Sequence, residues 1–254
     1  MGFTGGYNLA DEYFNVTHPY GHWKDTGVRL EGQAVRSLTA AFLEMWNSFK
    51  DEDKSDKEFD KYLPLIPHTA KVKGFVQPYA ISPLDTPHIG EEIYMSMAER
   101  AQEYLYIVTP YLIITDEMNQ VLSLAAKRGV DVRIITPGIP DKKLVYSITK
   151  SFYKKLVKNG VRIYEYTPGF CHAKQCVSDD VVPICGTINF DYRSLYHHFE
   201  NACLMANVKA VADIKADFEQ LFPQSDEVTD KYLNKKPGLT DFIQMIIRLF
   251  APLI

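Results

Sequence analysis

Beyond residue 73 the chain alternates short apolar runs with longer stretches in which apolar residues recur at helical spacing. Four runs that are dense in β-branched and aromatic residues predict strands, at 74–81, 104–109, 130–136 and 161–166. A helix is predicted where Ile93, Met97 and Ala101 share one face. Thr115 predicts the start of the next helix, and Gly129 its end. Strands that alternate with helices predict an α/β fold, with a mixed sheet flanked by helices on both faces.

The following segment predicts two strands, HAKQCVS at 172–178 and VPICGT at 182–187, joined by a turn at Asp179-Asp180. A strand at 199–206 and an amphipathic helix at 208–222 complete this unit. The first 50 residues repeat the closing part of the pattern in shorter form. They contain Gly5-Gly6-Tyr7-Asn8, the strand VRLEG, and a helix on which Leu38, Phe42, Met45 and Phe49 align. We therefore expect a remnant unit at 1–50, an acidic linker at 51–73, a complete unit at 74–230 and a C-terminal amphipathic helix at 231–254.

The net charge of −4 and the isoelectric point near 6.0 argue against a protein dedicated to nucleic acid. The segment 142–158 is an exception, because its six lysines could face anionic lipid or nucleic acid, although a solvated helix face is the plainer interpretation. Apolar residues at helical spacing also occur in the tail: Leu239, Phe242, Ile243, Ile246, Leu249 and Phe250. They fit a helix docked on the core or an interfacial membrane helix equally well.

Candidate chemistry is concentrated around His172. His172 and Lys174 are two residues apart, so on a strand their side chains share a face. The ammonium of Lys174 and the amide of Asn189 would hold a phosphate, and Gly186 would let the backbone approach it. A histidine can attack phosphorus and carry the phosphoryl group covalently, provided that an acid fixes its tautomer. Glu200 is the candidate acid.

A lone His-x-Lys pair is usually surface decoration, but here Asp179, Gly186-Thr187-Ile188-Asn189 and Asp191-x-Arg193-Ser194 follow it. The run HAKQCVSDDVVPICGTINFDYRS resembles the His-x-Lys-(x)4-Asp-(x)6-Gly-Ser/Thr-x-Asn signature of the phospholipase D superfamily. More narrowly, GTINFDYRSLYHHFEN resembles the second catalytic repeat of bacterial cardiolipin synthases, and GFTGGYNLADEY resembles the end of their first repeat. The resemblance extends over essentially the whole chain.

The resemblance implies phosphatidyl transfer between two phosphatidylglycerol molecules, which yields cardiolipin and glycerol through a phosphatidyl-histidine. It implies no cofactor, neither a metal nor a nucleotide. His172 would be the nucleophile or the acid/base, and Glu200 would orient it. Asp25 matches the acid that would orient the histidine of the first repeat.

The resemblance also assigns supporting residues. Those expected to bind the substrate phosphate are Lys174, Asn189, Asn8, Gly186 and Thr187. Asp179 is the aspartate of the motif and is expected to support the strand turn.

The histidine of the first repeat would precede residue 1, so we expect an incomplete part of the enzyme that is inactive, or nearly so, by itself. The expected partners are phosphatidylglycerol and anionic membrane lipid, together with the N-terminal repeat or a second copy of the chain; nucleic acid is not expected. The expected location is the cell membrane, in peripheral association on its cytoplasmic side. Two alternatives stay open: a dimeric single-motif phosphodiesterase or nuclease, and an inactive remnant that binds lipid.

Overall fold

The computed structural model describes residues 1–50, 58–65, 67–69, 73–235, 238 and 247–248. The strands are β1 (Gly2–Gly5), β2 (His22–Lys24), β3 (Gly27–Leu30), β4 (Phe75–Ile81), β5 (Tyr104–Val108), β6 (Leu112–Ile113), β7 (Asp131–Pro137), β8 (Arg162–Tyr166), β9 (Gly169–Cys171), β10 (Gln175–Ser178), β11 (Val182–Gly186), β12 (Phe190–Asp191), β13 (Glu200–Ala206) and β14 (Ser225–Glu227). The α-helices are α1 (Ala34–Ser48), α2 (Ile89–Arg100), α3 (Asp116–Lys127), α4 (Lys143–Val157), α5 (Lys209–Leu221) and α6 (Thr229–Leu233).

A mixed sheet of eight strands forms the centre, in the order β14-β8-β7-β5-β10-β11-β13-β4. The strands β5, β7 and β8 run parallel to one another, with α3 and α4 as the crossover connections that parallel neighbours require. The remaining neighbours pair antiparallel. The α/β fold expected from the sequence is confirmed.

Helices cover both faces of this sheet. On one face Leu122 of α3 and Phe152 of α4 are buried in a core that includes Ile107 of β5. On the other face Phe218 of α5 is buried in a second core with Val108, the next residue along β5. Successive residues of a strand point to opposite faces, so a strand covered on both faces is apolar throughout.

The first 50 residues pack against the same sheet. β1 and β3 form an antiparallel ribbon that contacts β11, and Leu30 of β3 is buried in the core beneath α5. α1 contacts β4, and Leu43 is its one buried residue. Phe42 is 51% exposed and Phe49 is 78% exposed. The helix itself agrees with the sequence pattern, whereas its aligned apolar residues are only partly covered.

Most elements agree with the sequence-based expectation. The Thr115 hydroxyl accepts a hydrogen bond of 3.0 Å from an amide in the first turn of α3, and α3 ends just before Gly129, whose φ is +98°. The strand expected at 172–178 is shorter than predicted. Residues 172–174 lie between β9 and β10 and belong to neither, so the prediction that His172 and Lys174 share a strand face is wrong.

Much of the expected linker and of the expected C-terminal helix lies outside the described residues. This holds for 51–57, 66 and 70–72, and for Leu239, Phe242, Ile243, Ile246, Leu249 and Phe250. Of the tail, Ile247 packs against the core and the Arg248 guanidinium lies 4.1 Å from the centroid of the Phe152 ring. Within the described ranges, no helix has the length and apolar character needed to cross a membrane.

Asp179 holds the turn between β10 and β11. Asp179 and Asp180 have left-handed φ values of 54° and 55°, which aspartate adopts more readily than most residues. The Asp179 carboxylate accepts three hydrogen bonds of 2.8 to 3.0 Å from the successive backbone N–H groups of residues 102–104. Burial raises the pKa of Asp179, but these three amides together outweigh it and hold the pKa below its ordinary value. This agrees with the expected structural role.

We predict that Asp179→Asn lowers the free energy of unfolding by about 2 kcal/mol, because a neutral amide is a weaker acceptor for three N–H groups. Asp180→Asn is the matched control, since it makes the same change at the adjacent left-handed position and should cost less than about 1 kcal/mol. Urea unfolding measures both. The contribution of the Asp179 carboxylate to the free energy of unfolding is fully present above its unfolded-state pKa. It should disappear as the pH falls through the lowered pKa of the folded state. Equal losses for the two variants would contradict this role.

Candidate active site

Two short parallel strands bring Asp25 and His172 together. β2 pairs with β9 so that Lys24 lies opposite Cys171, and the His172 N–H donates to the Lys24 carbonyl at 2.7 Å. Close approach of the two strands needs Gly169, where a Cβ atom would lie 2.3 to 2.4 Å from the backbone of the facing strand. The next side chains therefore meet, and His172 Nδ1 lies 2.8 Å from Asp25 Oδ2.

His172 lies in a wall of aromatic rings. The ring centroids of Trp23, Tyr13 and Phe170 are 5.1, 5.2 and 5.8 Å from that of the imidazole. Burial lowers the pKa of His172, the hydrogen bond to Asp25 opposes this, and the nearby Lys174 charge lowers it further. The net lowering favours a neutral imidazole at pH 7. With Nδ1–H donated to Asp25, the Nε2 lone pair is then available for chemistry.

The structure contradicts the expected pairing of acids and histidines. Asp25, not Glu200, is hydrogen-bonded to His172. Glu200 Oε1 instead accepts a hydrogen bond of 3.0 Å from Ser194 Oγ and lies 3.8 Å from His198 Nδ1. The physical reason is the β2–β9 ladder, which places Asp25 beside His172, whereas Glu200 begins β13 on a different strand pair.

Lys174 is enclosed behind the imidazole. It is only 4% exposed, and its Nζ donates to the His172 carbonyl oxygen. Burial lowers the pKa of Lys174 to about 8, against the attraction of Asp25 and Glu200. The buried ammonium thus sits among carboxylates, the arrangement that makes an interior charge tolerable.

The phosphate-binding candidates divide into two groups. Asn8 and Asn189 line the same cavity as His172, which has a volume of about 490 Å³. Asn189 Oδ1 is buried and has no hydrogen-bond partner among the described residues. Lys174, Gly186 and Thr187 do not line this cavity, which corrects the expectation that they contact the phosphate directly.

Gly186 and Thr187 contact the neighbouring strand β13 instead of the cavity. A Cβ atom at Gly186 would lie 2.3 Å from the Asn201 carbonyl oxygen, so the glycine permits close strand approach rather than close ligand approach. The Thr187 hydroxyl donates to that carbonyl and accepts from the Asn201 N–H, and is therefore occupied by the backbone of β13.

Acidic groups complete the cavity. Burial raises the pKa of Glu200 and of Asp191, which accepts a hydrogen bond of 2.8 Å from the Ser194 N–H. Sequence reasoning missed Tyr111 and Asp141 in the wall, where the Tyr111 hydroxyl donates to the carboxylate. Both follow the carboxyl ends of parallel strands, β5 and β7, and this position in an α/β sheet is a signal that could have indicated them.

The family model described as "Cardiolipin synthase, PLD-like domain" matches residues 94–222, just over half of the chain. The chain belongs to this cardiolipin synthase, phospholipase D-like family. Over its full length it is 48% identical to an uncharacterized protein of Streptococcus mutans serotype c and 31% identical to a cardiolipin synthase of Alkalihalophilus pseudofirmus. It covers 54% and 50% of those proteins, respectively. The chain thus spans about half the length of the curated relatives it matches.

A solved structure supports the fold independently of sequence. The phosphatidylserine synthase of Haemophilus influenzae Rd KW20 is similar with a TM-score of 0.70, over 99% of this chain and 66% of that one. The sequence identity is 13%, so this likeness establishes the fold alone. The family match over residues 94–222, rather than this structure, confirms the resemblance to the phospholipase D superfamily that the motif first indicated.

We predict that Asp25→Asn lowers the pKa of His172 further, because the imidazolium loses its ionic partner. Glu200→Gln is the matched control and should leave the His172 titration unchanged, since Glu200 does not contact that ring. NMR titration of the histidine ring signals measures both. A shift produced by Glu200→Gln but not by Asp25→Asn would mean that the pairing seen here is wrong.

Proposed function

We propose that His172 is the nucleophile of a phosphatidyltransferase and forms a phosphatidyl-histidine. The hydrogen bond of 2.8 Å between His172 Nδ1 and Asp25 carries this proposal, because it leaves Nε2 as the reactive nitrogen. The carboxylate stabilises the positive charge that grows on the ring as Nε2 attacks. Asn8 and Asn189 in the cavity wall support the proposal as donors to phosphate oxygens.

The chemistry divides into two displacements. In the first, Nε2 attacks the phosphorus of phosphatidylglycerol, a P–N bond forms, and the bond to the glycerol oxygen breaks. A general acid protonates the departing glycerol. In the second, the hydroxyl of another phosphatidylglycerol loses its proton and attacks phosphorus, and the P–N bond breaks. One phosphodiester replaces another, so the products are cardiolipin and glycerol.

Among the carboxylates of the cavity wall, we assign Glu200 to the proton transfer. Asp25 is already engaged by His172, and burial raises the pKa of Glu200, which favours holding a proton. We propose that Glu200 pairs with the second histidine of the complete enzyme, supplied by the other half of the longer relatives or by a second copy of this chain. This reverses the assignment of Asp25 and Glu200 that the resemblance first implied.

Cardiolipin synthesis at the membrane is the proposed activity of the whole protein. The relatives named cardiolipin synthase support it, although the chain spans only about half of their length. A cavity of about 490 Å³ suits a polar head group, while acyl chains would remain in the bilayer. A nuclease activity is disfavoured by the acidic balance of the chain, whose net charge is −4.

We predict that His172→Ala abolishes cardiolipin formation, a loss of at least about a thousandfold for removal of a nucleophile. His68→Ala, an exposed histidine outside the cavity, is the matched control and should retain full activity. The assay is mass spectrometry of lipids after incubation with phosphatidylglycerol vesicles. It uses this chain alone and this chain joined to the unmatched half of the Streptococcus mutans relative. Cardiolipin formation that survives His172→Ala would disprove the assignment.

We also predict that affinity for sulfate, a tetrahedral dianion, falls as the pH rises through about 8, the lowered pKa of Lys174. The reason is loss of the buried positive charge behind the cavity wall, and sulfate itself does not titrate in this range. Lys174→Met should remove the pH dependence, while Lys142→Met in the cavity wall should keep it. Calorimetric titration at several pH values decides the point, and an unchanged pH dependence in Lys174→Met would refute it.

A further inference from the structure

Ser194 makes hydrogen bonds with three other groups of the cavity wall. Its hydroxyl oxygen accepts a hydrogen bond of 2.9 Å from the Asn189 N–H, and its hydroxyl donates one of 3.0 Å to Glu200 Oε1. Its own N–H donates to Asp191 Oδ1 at 2.8 Å. Ser194 is only 2% exposed, so these bonds are shielded from bulk water. One small side chain therefore connects a candidate phosphate donor with two carboxylates of the cavity.

The backbone explains how Ser194 reaches Glu200, which lies six residues further along the chain. Arg193–His197 forms a single turn of π-helix, and His198 returns to an extended conformation with φ −124° and ψ 156°. β13 then begins at Glu200. π-helical turns are rare and are found frequently at functional sites. Here the turn brings Ser194 back onto the first residue of β13.

We propose that Ser194 is a positioning residue, which holds the Glu200 carboxylate in place for proton transfer and ties it to the loop that carries Asn189. The proposal rests on the proposed function in one respect, since proton transfer is the role assigned there to Glu200. Ser194 acts through Glu200 and not on the reacting atoms. The proposal also gives a role to the last residue of the motif Asp191-x-Arg193-Ser194, which the proposed function leaves unused.

A hydroxyl group has one hydrogen, and this fixes the direction of the bonds. The Asn189 N–H can only donate, so the Ser194 oxygen accepts from it and the hydroxyl hydrogen is available for Glu200. A glutamate side chain has several rotatable bonds, and a fixed donor restricts them before the substrate arrives. The Thr187 hydroxyl is also near Glu200, but it donates its hydrogen to the Asn201 carbonyl. Ser194 is thus the hydroxyl that serves Glu200.

The electrostatics predict what loss of this hydrogen bond does. Burial raises the pKa of Glu200, and the hydrogen bond from Ser194 acts against burial because it favours the charged carboxylate. Removal of the hydroxyl should therefore raise the Glu200 pKa further. The other charged or titratable groups around Glu200 stay in place when Ser194 is substituted: Lys174, Asp191 and His198 toward the cavity, and Glu44 and Asp85 in the groove on its other side.

The first experiment measures the Glu200 pKa in this chain alone, without lipid. The carboxyl carbons of glutamate are labelled with carbon-13 and titrated by NMR, and Glu200→Gln identifies the signal. Ser194→Ala should raise the Glu200 pKa. Ser123→Ala is the matched control, since Ser123 is 5% exposed and its hydroxyl has no hydrogen-bond partner among the described residues. An unchanged Glu200 pKa in Ser194→Ala, or an equal rise in Ser123→Ala, would overturn the proposal.

A second pair of variants separates the hydrogen bond from packing. Ser194→Cys nearly keeps the volume of the side chain and replaces the hydroxyl with a weak donor, so the Glu200 pKa should rise even if Ser194→Ala does not fold. Ser194→Thr retains a hydroxyl and should leave the pKa near its wild-type value. A purely structural role predicts the reverse order, because the added methyl group of threonine disturbs a buried site more than a thiol does. That reverse order would contradict the proposal.

A third experiment measures turnover in the chain joined to the other half of the Streptococcus mutans relative. Ser194→Ala should lower kcat about tenfold, the order expected for a lost hydrogen bond to a carboxylate, and should raise KM by less. In a Glu200→Gln background the same substitution should lower kcat less than about twofold, because the carboxylate through which Ser194 acts is already gone. Equal reductions in the two backgrounds would show that Ser194 acts elsewhere, which overturns the proposal.

The positioning proposal and the proposed function fail in different ways. If the Glu200 pKa does not respond to Ser194→Ala while His172→Ala abolishes cardiolipin formation, the positioning proposal is wrong and the function stands. If the pKa responds as expected but cardiolipin formation survives His172→Ala, the proposed function is wrong and the link between Ser194 and Glu200 stands.

Discussion

The pairing of β2 with β9 is the interaction on which the candidate site depends. It joins segments whose key side chains, Asp25 and His172, are 147 residues apart. The loop-closure entropy of such a separation is offset because both strands are already held by larger elements, the ribbon of β1 and β3 and the central sheet. A buried carboxylate without a partner is strongly destabilising, so the ladder and the His172–Asp25 pair support each other.

This geometry sets the electrostatics of the cavity. One buried ammonium, Lys174, lies among carboxylates that include Asp25, Asp191 and Glu200. Burial raises the pKa of Asp191 and Glu200 and lowers that of Lys174. In each case burial favours the neutral form of the side chain. Titratable groups with shifted pKa values are typical of active sites, where protons and charge are transferred during the reaction.

The sequence predicted the α/β fold well, because strands such as β5 and helices such as α3 have a clear periodicity and recognisable ends. The candidate site was predicted in part. β2 has only three residues and no periodicity, so its pairing, and with it the partner of His172, could not be seen. Glu200 was expected to orient His172 because it is an acid downstream of the motif to which the resemblance gives that role, and Gly186 was assigned to a ligand although it serves strand contact. Both errors concern tertiary contacts that local patterns do not encode.

The most direct test of the central claim is to trap the covalent intermediate. This chain, joined to the other half of its relative, is mixed with phosphatidylglycerol, quenched at alkaline pH and digested for mass spectrometry. We predict a phosphatidyl adduct on the peptide that contains His172, and a smaller amount of it in Asp25→Asn, which loses the acid that stabilises the attacking ring. Cardiolipin formation with an adduct on another residue, or with an undiminished His172 adduct in Asp25→Asn, would contradict the account.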